Sequence, residues 1–355
     1  LSHDTIKNFR IGYSYNTSSS LYDYLKNKNF KDEDIIKSNV VKRDNNNKIR
    51  DFFYKRLIFP ISNEQNKIVG FGGRVLDSSN PKYINSPESF FFKKRSILYN
   101  LNNSKESIRK KNNILICEGY MDVISLYQNN IKTAVAPLGT SLTETQLLLA
   151  WKYVQRPTIM FDGDNAGIRA SYKSALMALQ YITPNKYLQF IKLPNNYDPD
   201  SYINKFNLSK FIKLLKNPIP VVNFIFDQSS STIDLKKADN KISYDKYIED
   251  IIETIKDKKI KYFYKNEFKK LFYEKLRLDN TKPIKNKLTK IKEPLISKQI
   301  NSFLLSYLNH VSIRGKLHDI YIKSDLFNMQ QIEFINFIQK DEFNLLTFDE
   351  IINIE

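Results

Sequence analysis

Four apolar runs of strand length, separated by helical stretches within residues 113–205, constrain this chain more than any other feature. Ile114-Leu-Ile-Cys117, Thr133-Ala-Val-Ala136, Thr158-Ile-Met-Phe161 and the run 188–193 read as strands. Residues 120–128 read as a helix. A second helix is opened by Ser141 or Thr143, with Glu144 close behind, and carries Leu147, Leu148, Trp151 and Val154. A third runs from about Ala166 to Tyr181. A βαβα order of this kind predicts a parallel sheet with helices on its faces.

Three of these strands deliver carboxylates into the turn that follows. The first runs into Glu118, then Gly119, with Asp122 four residues after the glutamate; the third runs into Asp162-Gly-Asp164, and the fourth leads to Asp198-Pro-Asp200. In a parallel sheet all three turns fall at the carboxyl ends of the strands, where open α/β sheets carry their ligands. Six carboxylates there repel one another unless cations neutralise them. Oxygen ligands without His or Cys suit Mg²⁺ or Mn²⁺, which predicts a divalent-metal site for phosphoryl chemistry. Each pair alone has a plainer reading: Asp162-Gly-Asp164 as a turn, Asp198-Pro-Asp200 as a helix start with Pro at its first position. Turns do not require carboxylates repeated along one sheet edge, so the repetition favours a site.

The flanking regions differ in character. Residues 1 to about 40 read as short helices, among them Ser20-Leu-Tyr-Asp-Tyr-Leu and one begun by Asp32-Glu-Asp. Arg56-Leu-Ile-Phe-Pro-Ile and 67–76 read as strands joined through Asn63-Glu-Gln-Asn, and 81–94 reads as an ordered loop. From about 206 to 277 the chain reads as helical, with Tyr244, Tyr247, Ile248, Ile251, Ile252 and Ile255, then Phe268, Leu271 and Phe272, as core stripes. A Lys-rich stretch at 281–294 reads as a linker, followed by two or three amphipathic helices over 295–355. The expected fold is therefore α/β plus α, divided as 1–110, 111–205, 206–280 and, past the linker, 295–355.

A net charge of +18 favours a polyanionic partner, although Lys, Asn, Ile, Tyr and Phe are all abundant, as AT-rich coding would make them. The excess is concentrated: residues 42–95 hold twelve Lys or Arg against five Asp or Glu. Phe53, Tyr54, Phe71, Tyr83, Phe90, Phe91 and Phe92 lie among them. Cations for phosphates beside rings for bases make a single-strand binding surface; the alternative is a solvated basic face over an aromatic core. One cysteine, Cys117, sits inside a strand, which excludes an internal disulfide and fits a reducing compartment. His3, His310 and His318 have no metal-ligand spacing with it, so no zinc site is expected. No apolar run reaches membrane-spanning length and no signal peptide is visible. The chain begins at Leu1, which predicts a piece of a longer protein.

Glu118-Gly-Tyr-Met-Asp-Val, Asp162-Gly-Asp-Asn-Ala-Gly167 and Asp198-Pro-Asp200 together resemble the catalytic centre of bacterial DnaG-type primases, whose catalytic module is the TOPRIM domain. The likeness extends upstream through Phe59-Pro-Ile, Gly70-Phe-Gly-Gly-Arg-Val-Leu76, Pro81-Lys-Tyr-Ile-Asn-Ser-Pro-Glu88 and Leu98-Tyr99 to Leu1-Ser-His, and covers about residues 1–205. It implies synthesis of short RNA primers from ribonucleoside triphosphates on a single-stranded DNA template, by a nucleotidyltransferase of the bacterial cytoplasm or an organelle of bacterial origin. Glu118 would act as general base or organise the attacking 3′-hydroxyl, and Asp162 and Asp164 would share the catalytic centre. Glu118, Asp162, Asp164, Asp198 and Asp200 would hold two or more Mg²⁺ or Mn²⁺ ions, with Asp122 in support. Arg74, Lys82, Tyr83, Asn85, Lys94 and Arg56 would face template, RNA primer and triphosphate. Residues 295–355 would contact the replicative helicase.

Departures from the family pattern are also present. Phe52 and Tyr54, with Lys55 and Arg56 alongside, stand where relatives tend to carry arginines, Pro137 replaces a small polar residue, and the residues 1–355 are expected to lack the family's zinc-binding domain. Start-site selection is therefore expected to be impaired. Strand cleavage by a TOPRIM nuclease or topoisomerase, and a non-catalytic single-strand-binding helicase adaptor, are the rival readings. The first would leave a covalent protein–DNA adduct; the second would bind without metal or nucleotide incorporation.

Overall fold

The computed structural model describes residues 1–15, 20–139, 141–231 and 233–280, within one compact unit, Leu1–Lys282. The linker and the helical segment read at 281–355 lie outside the described residues.

The chain opens with α1 (His3–Phe9), whose first turn is capped by the Ser2 hydroxyl accepting from the Thr5 N–H at 3.2 Å. Next come β1 (Gly12–Tyr13), α2 (Ser20–Asn27), α3 (Asp32–Lys37) and the hairpin of β2 (Val41–Arg43) with β3 (Ile49–Asp51). The buried carboxylate of Asp51 accepts from the N–H groups of Leu21 and Tyr22 at 2.8 and 3.0 Å. The hairpin thereby satisfies the first turn of α2 from thirty residues away in sequence.

Strands β4 (Arg56–Ser62), β5 (Ile68–Val75) and β6 (Tyr83–Asn85) complete an antiparallel sheet in the order β1-β4-β5-β6. The turn at Asn63–Asn66 is where it was expected: the Asn63 side chain accepts from the Gln65 and Lys67 N–H groups, both at 3.0 Å. The segment 81–94, read as a loop, contains β6. Three residues are too few to show an alternating pattern, and β6 exists because Gly72, Gly73 and Arg74 offer it an edge to pair with.

The central sheet follows. After α4 (Leu101–Lys111) come β7 (Leu115–Ile116), α5 (Tyr120–Gln128), β8 (Ala134–Val135), α6 (Glu144–Ala150), β9 (Thr158–Ile159), α7 (Asn165–Leu179), β10 (Gln189–Phe190), α8 (Pro199–Phe206), α9 (Leu208–Leu215) and β11 (Ile219–Pro220). The order is β11-β10-β9-β7-β8, parallel except for β11. β11 interrupts the stretch 206–277 expected to be helical; Pro220 is tolerated in it because at a sheet edge its missing N–H costs nothing. The ladder continues past the formal strands, with Cys117 donating to Val135 and Met160 to Ile116, both at 2.8 Å. Side chains alternate between two cores. Ile114, Ile116, Ile159, Phe161 and Phe190 join one; Leu115, Cys117, Met160, Ile191 and Leu193 join the other. Burial on both faces explains why these strands read as continuous apolar runs.

Thr143 opens α6 through a capping box closed by Gln146 at 3.0 Å, with Glu144 in the first turn, and the helix stops at Ala150 rather than reaching Val154. Trp151 instead donates its indole N–H to the Tyr187 carbonyl at 2.8 Å. Beyond the sheet, α10 (Val221–Ser230), α11 (Ala238–Glu253) and α12 (Lys258–Asn280) pack as a helical layer. It joins the sheet where Phe224 stacks on Phe190, with centroids 4.0 Å apart. Tyr244, Ile248, Ile251, Ile252 and Phe268 are buried as the stripes predicted. Among the described residues no helix is long and apolar enough to cross a membrane.

Candidate active site

The carboxylates are positioned by turns and helix starts at one edge of the central sheet. Glu118 follows β7 directly. Gly119 then turns the chain into α5, and the Gly119 N–H donates to the Asp122 carboxylate at 2.9 Å. Asp162 follows β9, and its N–H reaches Glu118 Oε2 at 3.4 Å. Asp164 caps α7 by accepting from the Gly167 N–H at 2.7 Å. Asp198 caps α8 by accepting from the Ser201 N–H at 2.7 Å, with Pro199 at the first helical position. The two acidic turns are joined, because the Gly163 N–H donates to the Tyr197 carbonyl at 2.8 Å. The turn and cap readings of Asp164 and Asp198 therefore hold, and both caps lie at the carboxyl edge of the sheet.

Glu118, Asp122, Asp162, Asp198 and Asp200 line one cavity of about 920 Å³ together with Arg74, Lys82, Tyr83 and Asn85. The second group comes from the N-terminal sheet and its β5–β6 loop. Arg74 pairs with Tyr83 and Gly72 with Asn85, so register puts all three polar residues on one face. The Arg74 guanidinium lies over the Tyr83 ring, 5.6 Å from its centroid.

Electrostatically the acidic side of this cavity is overcrowded. Burial pushes Asp162 up to about 8, with Asp122, Glu118, Asp198 and Asp164 adding repulsion. Burial likewise drives Asp122 up to about 7, partly opposed by the Gly119 N–H and reinforced by Asp198, Glu118 and Asp200. Glu118 is raised as well, by burial first and the Asp164 charge after. Among the described residues the buried Asp162 Oδ1 has no hydrogen-bond partner. Among the described residues none of these carboxylates forms an ion pair with a Lys or Arg. No three His, Cys, Asp or Glu groups among the described residues stand close enough to make a preassembled cage. The donor set is nonetheless all hard oxygen, crowded and uncompensated, which fits divalent cations.

Residues 1–105 match the family described as the DNA primase catalytic core, N-terminal domain, and residues 115–203 match the Toprim-like family. The DNA primase of Rickettsia felis is 37% identical over 276 residues, covering 78% of this chain and 46% of that protein. The DNA primase of Buchnera aphidicola is 35% identical over 287 residues, 78% of this chain and 50% of the relative. The chain thus spans about half the length of the curated relatives it matches. The E. coli primase catalytic core superimposes with a TM-score of 0.70 at 30% identity, covering 76% of this chain and 87% of that one. The chain belongs to the DnaG-type primases. A structure of the DnaG primase catalytic domain bound to ssDNA is equally similar in fold, with a TM-score of 0.69 at 30% identity over 77% of this chain and 86% of that one.

Three residues expected at the site stand apart from the cavity. Asp164 is exposed and does not line it, although its charge reaches Glu118 and Asp162. Arg56 is only 9% exposed and donates to the Pro81 carbonyl at 2.9 Å. It pairs with Val75 while Leu57 pairs with Arg74, so strand alternation sends Arg56 to the opposite face of the sheet from Arg74. Lys94 lies in a 3₁₀ turn outside the cavity; its N–H donates to Glu88 and its carbonyl accepts from Gln146. Two cavity residues went unread from sequence. Ser125, three residues after Asp122 and so on the same face of α5, donates its hydroxyl to Asp200. Tyr120 donates to the Asn85 side-chain oxygen and stacks on Phe59. A Cβ at Gly72 would come within 2.7 Å of the Tyr120 ring, so the glycine lets β5 approach α5 closely. Helical spacing could have indicated Ser125; nothing local marks Tyr120.

Proposed function

We propose that this chain is the nucleotidyltransferase core of a DNA primase. It would synthesise short RNA primers from ribonucleoside triphosphates on single-stranded DNA. Relatives named DNA primase, and a similar catalytic domain bound to ssDNA, support the reading. The observation that carries it is one cavity lined by five carboxylates from the central sheet and its loops, and by Arg74, Lys82, Tyr83 and Asn85 from the other sheet.

Glu118, Asp122, Asp162, Asp198 and Asp200, with Asp164 beside them, would hold Mg²⁺ or Mn²⁺. When bound, these ions neutralise charge on the triphosphate and on the oxygens it exchanges. Glu118, its proton affinity raised by burial, is suited to accept the proton of the attacking 3′-hydroxyl. Arg74 and Lys82 bind phosphates. The Tyr83 ring holds the Arg74 guanidinium in place, and Tyr120 orients Asn85 toward the same space. Ser125 fixes the Asp200 carboxylate.

Incubation with single-stranded template, labelled ribonucleotides and Mg²⁺ or Mn²⁺ tests this proposal. Short RNA complementary to the template is expected. Template cleavage through a covalent protein–DNA adduct, or binding with no incorporation under either metal, would overturn it.

A further inference from the structure

The three consecutive phenylalanines at 90–92 divide between interior and surface. Phe92 is fully buried under β5, where a Cβ at Gly70 would touch its ring at 3.0 Å. Phe90 and Phe91 are 88% and 75% exposed and meet edge to face with centroids 5.1 Å apart. Their loop is held by hydrogen bonds: the Ser89 N–H donates to the Phe92 carbonyl at 2.9 Å, and the Phe92 N–H donates to Ser89 Oγ at 3.0 Å. Two rings held out into water by an anchored third form an apolar surface that calls for a partner.

We propose that Phe90 and Phe91 form a stacking platform for single-stranded nucleic acid outside the catalytic cavity. The pair borders a groove of about 620 Å³ that shares no lining residue with that cavity and is also lined by Lys93 and Lys152. Neither lysine is ion-paired to a carboxylate among the described residues. Among the described residues the one acid lining the groove, Glu64, has its carboxylate engaged by the Tyr153 hydroxyl at 2.5 Å. Exposed rings beside unpaired cations are the parts needed to stack bases and neutralise their phosphates. A protein partner would instead have to desolvate both lysines, a residue type depleted from protein–protein interfaces. The platform continues the segment that supplies Tyr83 and Asn85 to the cavity, and the chain from Asn85 to Phe90 spans at most about 18 Å. One strand could therefore contact both. Assigning the bound strand as the template or its transcript rests on the primase reading; the stacking itself does not.

Binding of labelled oligo-dT and oligo-U of about twenty nucleotides, measured by fluorescence anisotropy without metal or nucleotide, tests the platform. The F90A/F91A double variant is expected to raise Kd about ten-fold or more for one or both oligonucleotides. F90Y/F91Y should bind within about two-fold of the unaltered chain, because tyrosine also stacks. F90L/F91L should bind as poorly as the alanine pair. K93A/K152A should flatten the slope of log Kd against log salt by about 1.4, from about 0.7 per lost phosphate contact on a single strand. Unchanged Kd in the alanine variant, or rescue by leucine, would overturn the proposal. If the unaltered chain binds both probes with these effects yet makes no RNA, the primase reading fails and the platform stands. If it makes RNA and the alanine variant binds normally, the reverse holds.

Discussion

The central sheet carries its carboxylates on turns and helix starts beyond its strand ends, whereas the N-terminal sheet carries Arg74, Tyr83 and Asn85 on the flanks of paired strands. The two deliveries impose different constraints. A carboxylate at a strand end is placed by local geometry, through the cap it makes and the Gly or Pro beside it. A side chain on a strand flank is placed by register, and shifting it by one residue sends it through the sheet. Arg56 and Arg74 show the consequence. They lie on neighbouring strands of one sheet, but one faces the cavity and the other holds the Pro81 carbonyl.

The largest effects test the acidic side of this comparison. Glu118→Gln and Asp162→Asn keep shape and remove charge, so RNA synthesis should fall by about a hundred-fold or more, with circular dichroism unchanged. Primer synthesis near normal with unaltered metal dependence would mean that the turns position acids for the fold alone.

The second test separates the two arginines. Arg56→Ala should cost about 1–3 kcal/mol of stability by removing a buried side chain and its hydrogen bond to the Pro81 carbonyl, read as a lower denaturation midpoint. Arg74→Ala should cost less, about 0.5–1 kcal/mol from the lost contact with the Tyr83 ring. It should instead weaken binding of single-stranded template and flatten the salt slope by about 0.7. A binding loss in the first variant without a stability loss would erase the distinction drawn from strand alternation.

The smallest effect is a pH dependence peculiar to the acidic side. Asp162 and Asp122 are raised to about 8 and about 7, against an ordinary aspartate near 3.8. Between these values the folded chain binds protons that the unfolded chain has released, so stability falls as pH rises. In metal-free buffer the melting temperature should decline from pH 5 to pH 8. Asp162→Asn should decline less, and Mg²⁺ or Mn²⁺ added at pH 8 should restore part of the loss. Equal slopes for the variant and the unaltered chain would show that these carboxylates do not crowd one another.

The legible parts of the chain share a physical cause. The parallel strands are apolar on both faces, so 114–117, 158–161 and 188–193 stand out as runs, and caps such as Thr143 and Asp198 mark the following helices through short-range hydrogen bonds. Those interactions are local, and the sequence by itself determined them, together with the residues that carry the acids. Tertiary structure alone decided which side of the N-terminal sheet meets the acids, that β6 forms, that Arg56 faces away from the cavity and Lys94 lies outside its lining, and that Tyr120 and Ser125 join the cavity. It also decided which aromatics in the basic block are core, Phe53 and Phe92, and which reach solvent, Phe90 and Phe91. Each of these outcomes depends on pairing register or on contacts between residues far apart in the chain. A half-buried strand and a solvated basic face share the same composition until the partner strand fixes which side is in.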